Sequence, residues 1–201
     1  MNSIIEALIN TLQIILFIFV IGYILGILSE ILNTVLIKLF GIKTALILLN
    51  RVTFIGVIHH ELSHAIFGFI SGAKIKSVDL FRPKDNSLGS VKIVPRGNKI
   101  IQSFQLTLTA IAPVLTGMIS LCIIIGLTTS NFQYLKLWQL VIIIYLFISI
   151  LSHSNMSKAD LKCAIKGLPM CTILIFIAEY ITKFNLIKFI INQGENMYVM
   201  F

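Results

Sequence analysis

Long apolar runs separated by short polar breaks make up most of this chain. Such runs predict membrane-spanning helices, because one span needs about 20 mostly apolar residues. The runs place spans at about 8–28, within 44–70, and at about 101–127, 137–152 and 161–181. The pattern therefore predicts an all-α polytopic membrane protein with about five to six transmembrane helices.

Three stretches fit this pattern less simply. The segment "SEILNTVLIKLFG" (29–41) has the apolar spacing of an interfacial helix or a re-entrant piece. Arg51 interrupts the apolar run 44–70, so we expect that helix to start late or to break there. The tail 183–201 predicts a short interfacial helix.

Residues 71–99 have a different pattern. Polar and apolar positions alternate in "AKIKSVDLF" and again in "SVKIVPRG", and the turn-like "RPKDNSLG" lies between them. Alternation on both sides of a turn is typical of a β-hairpin. We predict a single membrane domain over 1–201 with a hairpin insertion at 71–99, at the membrane edge.

Composition agrees with a membrane protein. Of 201 residues, 57% are hydrophobic and 12% are charged, whereas soluble domains carry about 25% charged residues. Glu6 is the one charged residue in the first 28, which favours a retained span over a cleaved signal peptide. Three cysteines show no paired spacing and predict no disulfide framework.

The net charge of +8 is explained by basic loops at a membrane surface, so no nucleic-acid partner is expected. Cytoplasmic loops are enriched in Lys and Arg. With the N-terminus in the cytoplasm, the hairpin and the polar break before 161 are both inside, and they carry Lys74, Lys76, Arg82, Lys84, Lys92, Arg96, Lys99, Lys158, Lys162 and Lys166. We expect a multi-pass protein of the cell membrane in this orientation. The Lys-, Ile- and Asn-rich composition favours a bacterial source.

The stretch "HHELSHA" (59–65) carries the candidate chemistry. On a helix, His60 and His64 lie on one face and can bind one metal ion. Glu61 lies about 100° further round the helix, where its carboxylate can take a proton from a water that zinc has made acidic. This is the reason for the H-E-x-x-H pattern in zinc hydrolases.

The alternative is that these polar residues only hydrogen-bond to neighbouring helices. An ionisable residue inside a span costs several kcal/mol unless it is paired or functional. Three histidines and a glutamate within six residues therefore favour a metal site over packing. His59 lies off the metal face, and we expect it to support a ligand or to pack.

A catalytic zinc usually has three protein ligands and one open position. His64 lies near the predicted cytoplasmic end of its segment, and both Asp160 and His153 lie at the same side, whereas Glu179 is predicted near the opposite face. "SKAD" (157–160) is also a capping box that would start a helix without metal. Chemistry favours Asp160 but leaves His153 open.

Three stretches resemble the site-2 protease family of intramembrane zinc metalloproteases, in particular its small bacterial members. They are "HHELSHAIFGFISGAKIKSVDLF", "AIAPVLTG" and "SHSNMSKADLKCAIKGLP". The resemblance implies a zinc metalloendopeptidase with one Zn²⁺ per chain, bound by His60, His64 and Asp160, and with Glu61 as general base. The chain departs from the family in having a serine-and-aspartate turn where the L-D-G motif is more familiar.

The resemblance also implies a membrane-protein or membrane-associated peptide as substrate, cut in or beside a transmembrane segment. An extended substrate could add to an exposed strand edge, offered by "SVDLF" or "SVKIVP", although the hairpin could equally cap the site. Pro113 either breaks its helix or is a tolerated kink, and Cys163 is expected to be a small buried residue. The alternative function is a non-catalytic, zinc-stabilised scaffold or partner subunit, with a fourth protein ligand such as His153.

Overall fold

The computed structural model describes residues 3–80, 89–183, 185 and 188. In this part of the chain, helices dominate and one small sheet is present. The helices are α1 (Ser3–Ile47), α2 (Phe54–Ile70), α3 (Lys99–Asn131), α4 (Leu137–His153) and α5 (Lys158–Thr182), and the strands are β1 (Lys74–Asp79) and β2 (Ser90–Val94).

Three helical stretches among the described residues are long and apolar enough to cross a membrane. They are Ser3–Val52, Lys99–Tyr134 and Lys158–Thr182, and α2 and α4 are shorter apolar helices. Large aliphatic side chains cover much of the outer surface of these helices, as expected where lipid is the solvent. The prediction of a mainly helical membrane-type chain is confirmed, whereas the number of spans stays a prediction.

The segment 29–41, predicted as an interfacial helix or a re-entrant piece, is part of α1. α1 continues through "SEILNTVLIKLF" and kinks at Gly41, whose φ of 75° lies in the left-handed region that glycine tolerates. Ser29 is buried, and its Oγ donates to the carbonyl of Ser152 at 2.9 Å. Ser29 is therefore a packing contact between α1 and the end of α4.

The expected interruption near Arg51 is present. The helix widens to a π-helical turn over Leu48–Val52, and α2 begins after Thr53. The Thr53 hydroxyl donates to the carbonyl of Leu49 at 2.7 Å. The histidine segment therefore forms a separate helix, with its own direction.

α3 packs against α2, α4 and α5, and α1 packs against α4 and α5. A buried apolar cluster joins α1, α3 and α4 through Leu25, Val114, Leu121, Ile150 and Leu151. Glycine allows close approach where helices cross, as at Gly56 of α2, where an added Cβ would overlap the Ser149 carbonyl of α4. Small residues at helix crossings are typical of membrane bundles.

The two strands pair antiparallel, from Lys74 opposite Val94 to Asp79 opposite Ser90, with an irregularity between Ile75 and Ser77. The sheet predicted from the alternating pattern is thus present. The turn over 81–88 lies outside the described residues, as does most of the predicted tail helix. The position of the strands relative to the bilayer stays a prediction.

Candidate metal centre

The site begins on α2, where His60 and His64 lie one turn apart on the same face. Their Nε2 atoms are 3.1 Å apart and the two rings meet at 80°. The apolar residues on both sides of the histidines form a helix, and residues i and i+4 of a helix are neighbours on one face. The two ring nitrogens can therefore approach each other.

Asp160 reaches the same point from the first turn of α5. Its Oδ2 lies 3.8 Å from Nε2 of His64, and the ligand atoms of His60, His64 and Asp160 all lie within 4.8 Å of one another. These three side chains could therefore hold one metal ion.

Backbone carbonyls fix the orientation of both rings. Nδ1 of His60 is 2.7 Å from the carbonyl oxygen of His153, and Nδ1 of His64 is 2.8 Å from that of Thr109. Because a carbonyl only accepts hydrogen bonds, each Nδ1 carries the hydrogen. In the neutral rings both Nε2 atoms then present lone pairs to each other across 3.1 Å. These lone pairs repel each other, and a cation bound by both nitrogens would remove the repulsion.

Two of the three ligand-atom separations are close to those at a zinc ion. Two ligand atoms of a tetrahedral zinc lie about 3.3 Å apart when each bond is about 2.0–2.1 Å. The two measured separations, 3.1 Å between the imidazoles and 3.8 Å from His64 to Asp160, lie on either side of this value. The donor set of two imidazoles and one carboxylate is one that zinc accepts.

Asp160 is also a helix cap, as the sequence suggested. The Ser157 backbone N–H donates to Oδ2 of Asp160 at 3.1 Å, and the Asp160 N–H donates to the Ser157 hydroxyl at 3.1 Å. The same oxygen, Oδ2, is the one nearest His64. The two interpretations of this residue therefore coexist in one geometry.

His153, the other candidate third ligand, has a different place. Its Nε2 is 3.0 Å from the Thr53 hydroxyl, and it is the backbone carbonyl of His153 that contacts His60. His59 points elsewhere, with Nε2 3.0 Å from the Ser120 hydroxyl on α3. Neither side chain belongs to the group that could hold the metal.

Glu179 lies at the far end of α5, about 28 Å from Asp160 at a rise of about 1.5 Å per residue. It is buried, and its Oε2 accepts from Nδ2 of Asn10 at 3.3 Å. The carboxylate predicted to lie away from the metal site does so.

We call the residues that could hold the metal, His60, His64 and Asp160, the metal-binding group. They line a cavity of about 470 Å³ that Glu61 also lines. β2 forms one wall with Ser90, Val91 and Ile93. A Cβ at Gly89 would lie 2.6 Å from Cγ of Glu61. Strand and glutamate are therefore in direct contact beside the metal-binding group.

Pro113 is fully buried inside an α3 that continues on both sides of it, so it does not break that helix. Cys163, half-buried, is one of the residues that line the cavity.

Sequence reasoning did not find the carbonyls that orient the histidines, nor Gly89. Backbone acceptors have no side-chain signature, and the close contact at Gly89 depends on how β2 meets α2.

Comparison with known proteins adds no family to this picture: no protein-family model, no curated protein and no solved structure matches the chain. The metal-binding group is defined by its own geometry.

Proposed function

We propose that this protein is an intramembrane zinc metalloendopeptidase of the site-2 protease type. One observation carries the proposal: two imidazoles with facing lone pairs and a carboxylate converge at a cavity that also holds Glu61. A group that could bind metal, an adjacent carboxylate and room for a substrate are the parts that metal-assisted hydrolysis needs.

In the proposed reaction, His60, His64 and Asp160 would hold a zinc ion, which would act as a Lewis acid that acidifies water and polarises the scissile carbonyl. Glu61 takes the proton of the attacking water and later passes it to the leaving amine. Glu61 lines the cavity beside Val91 of β2, where its carboxylate can reach an attacking water. No covalent enzyme intermediate is required.

β2 is the strand best placed to hold a substrate. Ser90, Val91 and Ile93 of β2 line the cavity, and among the described residues β2 pairs with β1 alone, which leaves its other edge open. An extended peptide adding to that edge would run past the metal-binding group, with its backbone exposed to attack. The substrate is then a segment of a membrane protein, or of a membrane-associated peptide, that can leave its helix.

The open cavity separates this proposal from the scaffold alternative. A structural zinc site is closed by four protein ligands, whereas the metal-binding group found among the described residues has three members and borders about 470 Å³ of space. That space leaves room for a water and a substrate carbonyl.

Glu61→Gln tests the proposal. Wild-type protein in zinc-loaded proteoliposomes should cleave members of a panel of single-span peptides. The variant should bind zinc as before and lose at least about 100-fold in rate, because a general base contributes about 10²–10⁴-fold.

Glu6→Gln is the matched control, since it makes the same chemical change in the first turn of α1, and it should cleave normally. Unchanged cleavage by Glu61→Gln, or wild-type cleavage that survives removal of zinc by a chelator, would contradict the mechanism.

A further inference from the structure

We propose that Pro113 is a positioning residue for His64: because it has no N–H, it leaves the carbonyl of Thr109 free to hold the His64 ring. The inference rests on the metal-binding part of the proposed function and is independent of proteolysis. It assigns the buried proline a role other than breaking or kinking its helix.

The argument starts from helix geometry. In an α-helix the carbonyl of residue i accepts from the N–H of residue i+4, so the partner of the Thr109 carbonyl would be the N–H of residue 113. Proline lacks that N–H. α3 nevertheless continues from Lys99 to Asn131, which leaves this carbonyl without its usual donor in the middle of a helix.

The freed carbonyl is the one that meets the metal-binding group. Its oxygen lies 2.8 Å from Nδ1 of His64. The Thr109 side chain is not involved, since its hydroxyl donates to the Gln105 carbonyl at 2.7 Å. Pro113 itself is fully buried.

His60 is also held by a backbone carbonyl, but this carbonyl is free because it lies at the end of a helix. The carbonyl of His153, 2.7 Å from Nδ1 of His60, belongs to the last residue of α4. The final four carbonyls of a helix have no partner within that helix. Each histidine is thus held by a carbonyl that has no usual donor within its own helix. The His153 carbonyl lies at the end of α4, and the Thr109 carbonyl lies four residues before the proline in α3.

The consequence is a fixed tautomer. An Nδ1–H held by a carbonyl places the lone pair of His64 on Nε2, towards His60 and Asp160, and such outer partners of a histidine ligand typically contribute about 10–100-fold in metal affinity. Restoring an N–H at residue 113 would give the Thr109 carbonyl a competing donor.

The experiment compares two replacements of Pro113 that differ by one N–H. Pro113→Ala introduces the donor, whereas replacement by L-lactic acid, through an ester in the backbone, keeps the alanine shape without the donor. Pro169→Ala is the matched control, because Pro169 also lies inside an apolar helix, α5. Zinc affinity is measured by chelator competition in detergent, and ¹⁵N-histidine NMR reports the tautomer of His64.

Pro113→Ala should weaken zinc binding by about 10–100-fold and reduce the population with hydrogen on Nδ1 of His64. The lactate replacement and Pro169→Ala should match wild type in both measurements.

Equal zinc affinity in Pro113→Ala and wild type would overturn the inference while leaving the proposed function intact. Equal weakening in the alanine and lactate proteins would also overturn it, since the proline ring and not the missing N–H would then matter. If Pro113→Ala does not fold, the lactate protein decides alone, and weak zinc binding by it refutes the inference. A wild-type protein that binds no zinc would overturn both the inference and the proposed function.

Discussion

In the proposed centre Asp160 both caps α5 and binds the metal, and two substitutions separate these two roles. Ser157→Ala removes the hydroxyl that accepts from the Asp160 N–H at 3.1 Å, so it damages the cap of α5 but keeps the carboxylate. Asp160→Asn keeps a side chain of the same shape but removes the charge that lies 3.8 Å from His64. Ser157→Ala should therefore have the larger effect on stability, and Asp160→Asn should have the larger effect on zinc affinity.

The first assay is the free energy of unfolding of metal-free protein in detergent. Loss of a serine N-cap costs about 0.5–2 kcal/mol, so Ser157→Ala should be the less stable variant. The second assay is zinc affinity by chelator competition. Ser157→Ala should lose about 10-fold, as a residue that orients a ligand, and Asp160→Asn should lose more than about 100-fold, as a ligand.

The structure thus predicts that the two variants rank in opposite order in the stability assay and in the zinc-affinity assay. Zinc binding by Asp160→Asn at least as tight as that by Ser157→Ala would show that Asp160 only caps α5. The third ligand would then have to be found elsewhere in the chain.

Three further substitutions test the surroundings of the site. Gly89→Ala would put a Cβ 2.6 Å from Cγ of Glu61; displacing the base should lower the cleavage rate by about 10–100-fold while zinc affinity, measured in parallel, stays unchanged. His153→Ala should keep wild-type zinc affinity, because the carbonyl that holds His60 remains, and should lower the free energy of unfolding by about 1 kcal/mol through a lost hydrogen bond. Gly56→Ala should lower the free energy of unfolding by about 1–3 kcal/mol, since its Cβ would overlap a backbone carbonyl of α4. Thermal unfolding in detergent measures this loss of stability.

Each of these three has an outcome that counts against the account. Cleavage by Gly89→Ala at the wild-type rate would show that Glu61 is not confined by β2, and loss of zinc from His153→Ala would make His153 a ligand. For Gly56→Ala the control is Gly26→Ala, where no atom lies within 4 Å of the added Cβ. It should be neutral or stabilising by up to about 1 kcal/mol, and equal loss in both variants would refute the packing argument.

Spacing along the chain was enough to predict which α2 residues share a face, because residues i and i+4 of a helix lie on the same side. Asp160 lies about a hundred residues further on, and only the expected sidedness of the spans and the family resemblance connected it to His64. The structure brings the three together.

Other features could not be predicted, for physical reasons. Ser29 opens a segment predicted as an interfacial helix or a re-entrant piece, but it lies inside α1, buried against the end of α4 and hydrogen-bonded there. Whether a single hydroxyl ends a helix or joins two helices depends on a partner that is distant in sequence. The carbonyls that hold His60 and His64 are invisible for the same reason.

The most direct test of the central claim is zinc X-ray absorption on protein loaded with one equivalent of zinc, as wild type and as Glu61→Gln. We predict the same first coordination sphere in both: two imidazole nitrogens, one carboxylate oxygen and one further light atom, at about 2.0–2.2 Å. A sulfur at about 2.3 Å, which would point to a cysteine such as Cys163, or a third imidazole closing the sphere, would contradict the proposed centre.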